Sequence, residues 1–312
     1  MGRLRYQSAF LIAAAVVAVF IGMAAAQATF KVDVKLVRLL VSVKDGRGEL
    51  VGSLEKPDFT VYDSGVKQEV AVFEHHTELP LSVALLIDTS GSTAKDLRYE
   101  QTSLEKFLRA LLREGNPSDA VALYAFNDEV TRMNSFTRRE QRLFESLKEL
   151  RARAGTSLYD AVHLSSRDLA GREGRHVIVA VTDGGDTTSV KKYADAFESA
   201  QSADAIVYPV LVIPITNDAG RNLGGERALE ALASDTGGRV FQPAGAAELD
   251  QAFTQILRDL RTQYLIGYYP RNLPADAPRF HRVRVELSRE DLRATTRAGY
   301  YGDAPLAGEA AR

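Results

Sequence analysis

The 312 residues predict an α/β protein, a mostly parallel sheet with helices on both faces, inserted in or flanked by a small antiparallel β-sandwich-like unit. Two observations lead there. Between residues 80 and 262, continuous apolar runs of strand length alternate with amphipathic helical segments, the pattern of strands buried on both faces. On either side, residues 30–76 and 263–301 read with a period of two or are continuously β-prone, broken by turn residues. With 45% hydrophobic and 26% charged residues, a sizeable core is available.

The first segment reads as an export signal. Arg3 and Arg5 precede an apolar stretch over 9–26, and Ala26-Gln27-Ala28 is a small-x-small cleavage site. Residues 1–28 are therefore expected to be removed; the alternative is an uncleaved membrane anchor, since about 18 apolar residues reach the lower limit for a span. Both place the folded part outside the cytoplasm: periplasmic, cell-surface or secreted.

Residues 29–79 follow as N-terminal β strands. Val32, Val34, Leu36 and Val37 lead into 39–43, Asp45-Gly46 gives a turn, and 59–62 and 66–73 flank Asp63-Ser64-Gly65. Some 50 residues make a marginal core alone. The expected completion is 263–302, whose strand-like runs 263–269, 282–287 and 292–301 would join 29–79; two separate β appendages are the alternative. Residues 303–312 are small and polar, a loose tail.

Within 80–262, strands are expected at 81–87, 120–126, 176–181, 205–213 and 239–241. One helix covers 97–113, with Leu97, Leu104, Phe107, Leu108, Leu111 and Leu112 on one face. Another opens with a capping box, Thr137 to Glu140, and continues through Leu143, Phe144, Leu147 and Leu150. The last, 246–260, carries Leu249, Phe253, Ile256, Leu257 and Leu260.

The chemistry concentrates where these strands end. The run 82–87 stops at Asp88-Thr89-Ser90-Gly91-Ser92, and 177–181 stops at Thr182-Asp183-Gly184. Open α/β sheets bind ligands at the carboxyl ends of their strands. Gly155-Thr156-Ser157 opens a helical pattern, so Thr156 sits in a loop on the same edge. All-oxygen ligation by Asp88, Ser90, Ser92, Thr156 and Asp183 suits a hard dication, and Mg2+ is typically held by only one or two carboxylates.

The D-x-S-x-S spacing of Asp88, Ser90 and Ser92, with Thr156 and Asp183 downstream, resembles the metal-ion-dependent adhesion site of the von Willebrand factor type A family over about residues 80–262. The flanking strands resemble the secreted bacterial set related to that family, Tyr264 to Pro270 and Arg297 to Tyr301 being the nearest likeness. The resemblance implies a Rossmann-like fold and direct or water-mediated coordination of Mg2+, with Mn2+ or Ca2+ as substitutes. It also implies a protein partner whose Asp or Glu completes the metal's shell, and in many members a shift of the last helix, here 246–260.

Other function classes fit less well. The absence of cysteine excludes disulfides and thiol chemistry. Formal net charge is -2, with no basic block to meet nucleic acid, and a membrane would be met only through an uncleaved N-terminal segment. A metal-dependent phosphohydrolase using Asp88 and Asp183 is the rival reading, but it lacks a second acid two residues after Asp88 and any G-x-S-x-G elbow. A structural protein with a loop-rigidifying metal is a third. Asp186 reads as a solvated loop acid, the histidines as isolated, and Gly220 to Gly225 as a connection rather than a phosphate loop, since the full P-loop pattern is missing. The expectation is a non-enzymatic adhesion or scaffold protein.

Overall fold

The computed structural model describes residues 36–75, 78–91, 97–212, 222–274 and 278–302. The expected signal, Ser92, His76, Gly220, Arg221 and the tail expected at 303–312 lie outside them.

The chain begins with β1 (Val37–Lys44), whose inward residues Val37, Leu39, Val41 and Val43 are buried at every second position. A 3-10 turn, Lys56–Asp58, leads to β2 (Phe59–Asp63). Ser64 and Gly65 then turn the chain with φ of 49° and 83°, the paired positive values of a two-residue hairpin turn matched to strand twist. The strand-like run expected at 66–73 divides in two. β3 (Val66–Gln68) pairs with β2, whereas β4 (Val70–Glu74) crosses to a different sheet.

The α/β portion follows in the order β5 (Leu81–Asp88), α1 (Leu97–Glu114), β6 (Ala120–Phe126), β7 (Val130–Thr137), α2 (Glu140–Glu149), α3 (Leu158–Ala170), β8 (Arg175–Thr182), α4 (Tyr193–Ser202), β9 (Ala205–Leu211), α5 (Leu223–Thr236) and α6 (Ala246–Arg261). Sheet order is β7-β6-β5-β8-β9. The four strands β6, β5, β8 and β9 are parallel, and β7 closes one edge antiparallel. Alternating residues of β5 face opposite cores. Leu81, Val83, Leu85 and Ile87 pack with α1, α2 and α6, while Ala84 and Leu86 pack with α3, α4 and α5. Every residue of β5, β6, β8 and β9 is buried, as strands covered on both faces require.

The chain leaves α6 directly into β10 (Tyr264–Tyr268), then β11 (Phe280–Leu287), β12 (Arg293–Thr295) and β13 (Gly299–Tyr301). Two antiparallel sheets result, β12-β1-β10-β4 and β13-β11-β2-β3. β10 lies between β1 and β4, with Leu39 opposite Ile266 and Phe73 opposite Ile266 on the other side. Leu39, Val41, Val61, Tyr264, Ile266 and Tyr268 fill the core between the sheets. Asp63, fully buried, accepts hydrogen bonds from Tyr268 (3.0 Å), Tyr300 (2.6 Å) and Ser64 (3.1 Å), so a charged group is satisfied inside the sandwich.

Three local expectations need correction, and one strand was not among those expected. α2 starts at Glu140 with Arg139 as its cap and no capping box; the Thr137 hydroxyl accepts from the Arg139 N–H instead, and Leu150 lies just past the helix end. β9 stops at Leu211, short of 213. Residues 239–241 contribute only a single parallel bridge, Val210 to Phe241. The edge strand β7 escapes the apolar-run criterion because its one-sided burial leaves Thr, Arg and Asn in sequence.

Candidate metal site at the carboxyl edge of the sheet

β5 and β8 are neighbours in register, Ile87 opposite Val181, so their polar ends emerge side by side. Asp88 terminates β5 with only 1% of its surface exposed. Its Oδ1 accepts the Ser90 N–H at 2.8 Å, and its Oδ2 accepts the Thr182 hydroxyl at 2.6 Å. The same Thr182 oxygen accepts the Gly184 N–H at 3.2 Å, which turns the chain after β8 and leaves Asp183 half-buried at the edge. Burial pushes the Asp88 carboxyl up to about 6, opposed by the bonds from Thr182 and Ser90 and reinforced by the negative charge of Asp183.

Thr156 reaches this edge because its loop is tied on three sides. The Arg153 N–H donates to the Thr89 carbonyl at 2.8 Å, and Ser90 and Arg153 form a parallel bridge. Ser157 donates its N–H to Asn127 O (2.6 Å), anchoring the loop to the end of β6. The Thr156 N–H donates to the Thr187 and Thr188 hydroxyls at 2.9 and 3.1 Å, and Thr187 N–H returns to Thr156 O at 2.8 Å. Gly155 makes this turn at φ +81°, where a Cβ would lie 2.9 Å from Cβ of Asp128. The loop is thus held to β5, β6 and the segment after β8 together.

Among the described residues, neither the Thr156 hydroxyl nor the Asp183 carboxylate makes a hydrogen bond, although each neighbours a tightly bonded backbone. Ser90 is buried, and its side chain bonds Asp88. No group of three or more His, Cys, Asp or Glu able to hold a metal is found among the described residues, so a cation here would rest on two carboxylates and neutral hydroxyls. That donor set fits a hard dication: two carboxylates neutralise it, hydroxyls complete its oxygen shell, and Mg2+ keeps waters elsewhere.

Residues 83–185 match the model of the von Willebrand factor type A domain. Over these residues the chain is similar to a von Willebrand factor type A domain. Its fold is similar to the vWF domain of the type V pili tip protein Mfa5 from Porphyromonas gingivalis, at 15% identity over 58% of this chain and 94% of that one, TM-score 0.47. The conserved hypothetical protein BatB from Bacteroides thetaiotaomicron compares at 18% identity over 58% and 98%, TM-score 0.47. The PilB minor pilin from Streptococcus sanguinis compares at 12% over 59% and 62%, TM-score 0.48. No curated protein matches the chain.

Within the stretch that matches the von Willebrand factor type A model, Asp88, Ser90, Thr156 and Asp183 lie on segments joined at one edge, and Ser92 lies outside the described residues. Three residues outside the expected ligand set support them. Thr182 clamps Asp88; its only signal was a hydroxyl directly before the strand-ending acid. Asn222 caps α5 through Gly225 N–H, and a Cβ on Gly225 would fall 2.2 Å from Gly184 O, so this helix start sits against the loop carrying Asp183. Asp186 is engaged rather than merely solvated: its Oδ1 accepts the Tyr159 N–H at 3.1 Å and the Ser189 hydroxyl at 2.5 Å, fixing the start of α3. The histidines have structural partners elsewhere, His163 with Ser199, His176 with Ala203 O and Arg172 O, and His281 with Asp63.

Proposed function

We propose that this chain is an exported, non-catalytic protein-binding module of the adhesion or scaffold type. Asp88, Ser90, Ser92, Thr156 and Asp183 hold a divalent cation, Mg2+ in the first instance with Mn2+ or Ca2+ as substitutes, and the cation docks an Asp or Glu of a protein partner. The observation that carries this reading is the pairing, at one sheet edge, of a buried carboxylate with a hydroxyl and a second carboxylate that have no hydrogen bond to the described protein. Hydroxyl ligands add no charge, so the ion stays electrophilic enough to accept an acidic side chain. Thr182 and the Ser90 N–H orient Asp88, and the tied Thr156 loop presets its hydroxyl, so little ordering is needed on binding. The basic, apolar and A-x-A pattern of residues 1–28 supports export, as part of a bacterial envelope or secreted protein.

A pull-down from envelope extract tests this, with the chain as bait in Mg2+, in chelator, and as Asp88→Ala checked for fold by circular dichroism. A partner retained only by the intact site with metal is expected. The same partners in all three arms would contradict it, and metal that raises the melting temperature with no partner captured would point to a loop-rigidifying role.

A further inference from the structure

A cleft lies outside the sandwich, where the outer face of the sheet β13-β11-β2-β3 meets α4 and the end of α5. Along β11, Val283 and Val285 turn inward to the sandwich core, so Phe280, Arg282 and Arg284 share the opposite face. Tyr62 of β2 stands opposite Arg284. Helix α4 is held over this face by Phe197, whose ring centre is 6.1 Å from that of Phe280, and by Glu198, which pairs with Arg279 at 3.0 Å. The end of α5 is held by the Ala298 N–H, which donates to Asp235 O at 2.9 Å. Beside these ties the sheet stays uncovered, and the open space measures about 640 Å³. Gly65 on its border contributes no side chain to fill it, and a Cβ there would meet nothing within 4 Å.

The charges that line this space are not all matched. Arg284 pairs with Glu286 and lies over Tyr62, its guanidinium carbon 4.3 Å from the ring centre. Arg282 is exposed and makes no ion pair among the described residues. Asp235 is half-buried on the helical side, and its carboxylate makes no ion pair there either. That carboxylate lies close enough to α4 to act on Tyr193, whose phenol is pushed up to about 12 by burial and then by the Asp235 charge. One guanidinium on the sheet and one carboxylate on the helices therefore border the same space without meeting. Between them Tyr62, Phe197 and Phe280 are all half-buried and leave ring surface open to it. A guanidinium takes a carboxylate through two N–H groups, a carboxylate takes an ammonium, and aromatic rings favour offset or edge contact with another ring.

We propose that this cleft binds a free aromatic α-amino acid, its carboxylate at Arg282, its ammonium at Asp235 and its ring against Phe197 and Phe280. The volume falls in the range of small-molecule sites, about 300–1,000 Å³, and aromatic walls with a few polar groups are their usual lining. The proposal does not rest on the metal reading, so its test runs in chelator. The chain contains no tryptophan, so L-tryptophan excited beyond the tyrosine band reports its own binding to the full chain. Calorimetry repeats the titration with tryptamine, indole-3-propionate and glycine, which lack the carboxylate, the ammonium and the ring in turn. Saturable tryptophan binding is expected, about tenfold or more tighter than any of the three. Arg282→Gln should weaken tryptophan about tenfold and leave tryptamine unchanged, and Asp235→Asn should weaken tryptophan as much and leave indole-3-propionate unchanged, each with the parent circular dichroism spectrum. Absence of saturation would overturn the proposal. So would any comparison compound binding as tightly as tryptophan, or either variant holding tryptophan like the parent chain.

Discussion

Asp88 is a carboxylate whose surroundings favour its proton. Its folded pKa of about 6 lies above the ordinary 3.8, chiefly through burial, so the folded chain holds this proton more tightly than the unfolded one. The stability associated with it is complete below about pH 4, falls as pH rises through about 6, and then levels off, a loss of about 3 kcal/mol. Asp45, Asp58 and Glu140, whose carboxyls are depressed by hydrogen bonds, slope the opposite way, so the contribution must be isolated by difference. Denaturant melts in chelator across pH 4 to 7 should show the falling component in the parent chain and not in Asp88→Asn. Mg2+ competes with the proton and should offset that fall above about pH 6. Thr182 acts on the same atom from outside the expected ligand set. Removing its hydroxyl in Thr182→Val should weaken Mg2+ about tenfold in calorimetry while leaving the circular dichroism spectrum intact; unchanged affinity would show that Asp88 needs no such clamp.

At the scale of elements, the site depends on helix starts pressed against loops. A Cβ on Gly225 at the start of α5 would meet Gly184 O at 2.2 Å and Gly185 Cα at 2.7 Å, so Gly225→Val must displace the segment that carries Asp183. Destabilisation of about 1–3 kcal/mol is expected in a denaturant melt, together with loss of Mg2+ affinity; a variant as stable as the parent would mean that this contact gives way freely. This contact was not legible in the sequence, because Gly225 acts on a loop 40 residues away. The strands that carry Asp88 and Asp183 were legible, since burial on both faces leaves unbroken apolar runs such as 82–87 and 177–181. β7 was not, because an edge strand mixes polar and apolar residues. The division of 66–73 into β3 and β4 was hidden as well: a strand that changes sheets keeps its β propensity throughout, and only tertiary pairing decides where it turns. The capping box failed because Thr137 turned its hydroxyl to Arg139, the first N–H within reach.

The molecule joins its two kinds of sheet through side chains as well as through the chain itself. Leu40 of β1 packs on the core beneath α6, Lys44 of β1 pairs with Asp259 of α6 at 3.5 Å, and the Ala298 N–H donates to Asp235 O at the end of α5 at 2.9 Å. With α6 running into β10 after only Thr262 and Gln263, the sandwich and the α/β portion should unfold together. Scanning calorimetry in chelator should show one transition, and Tyr300→Phe, which removes a 2.6 Å bond to buried Asp63, should lower the whole of it, by about 1–3 kcal/mol. Two separated transitions, with only one moved by Tyr300→Phe, would show that the portions are independent. The central claim is that the carboxyl edge of the five-stranded sheet holds a cation, and direct titration of metal-stripped protein with Mg2+ and Mn2+ tests it most directly, beside Asp88→Ala and Thr156→Val. One saturable site in the parent chain, lost in Asp88→Ala and weakened about tenfold or more in Thr156→Val, is the predicted result. Equal binding by all three proteins, or no saturable binding to the parent, would contradict it.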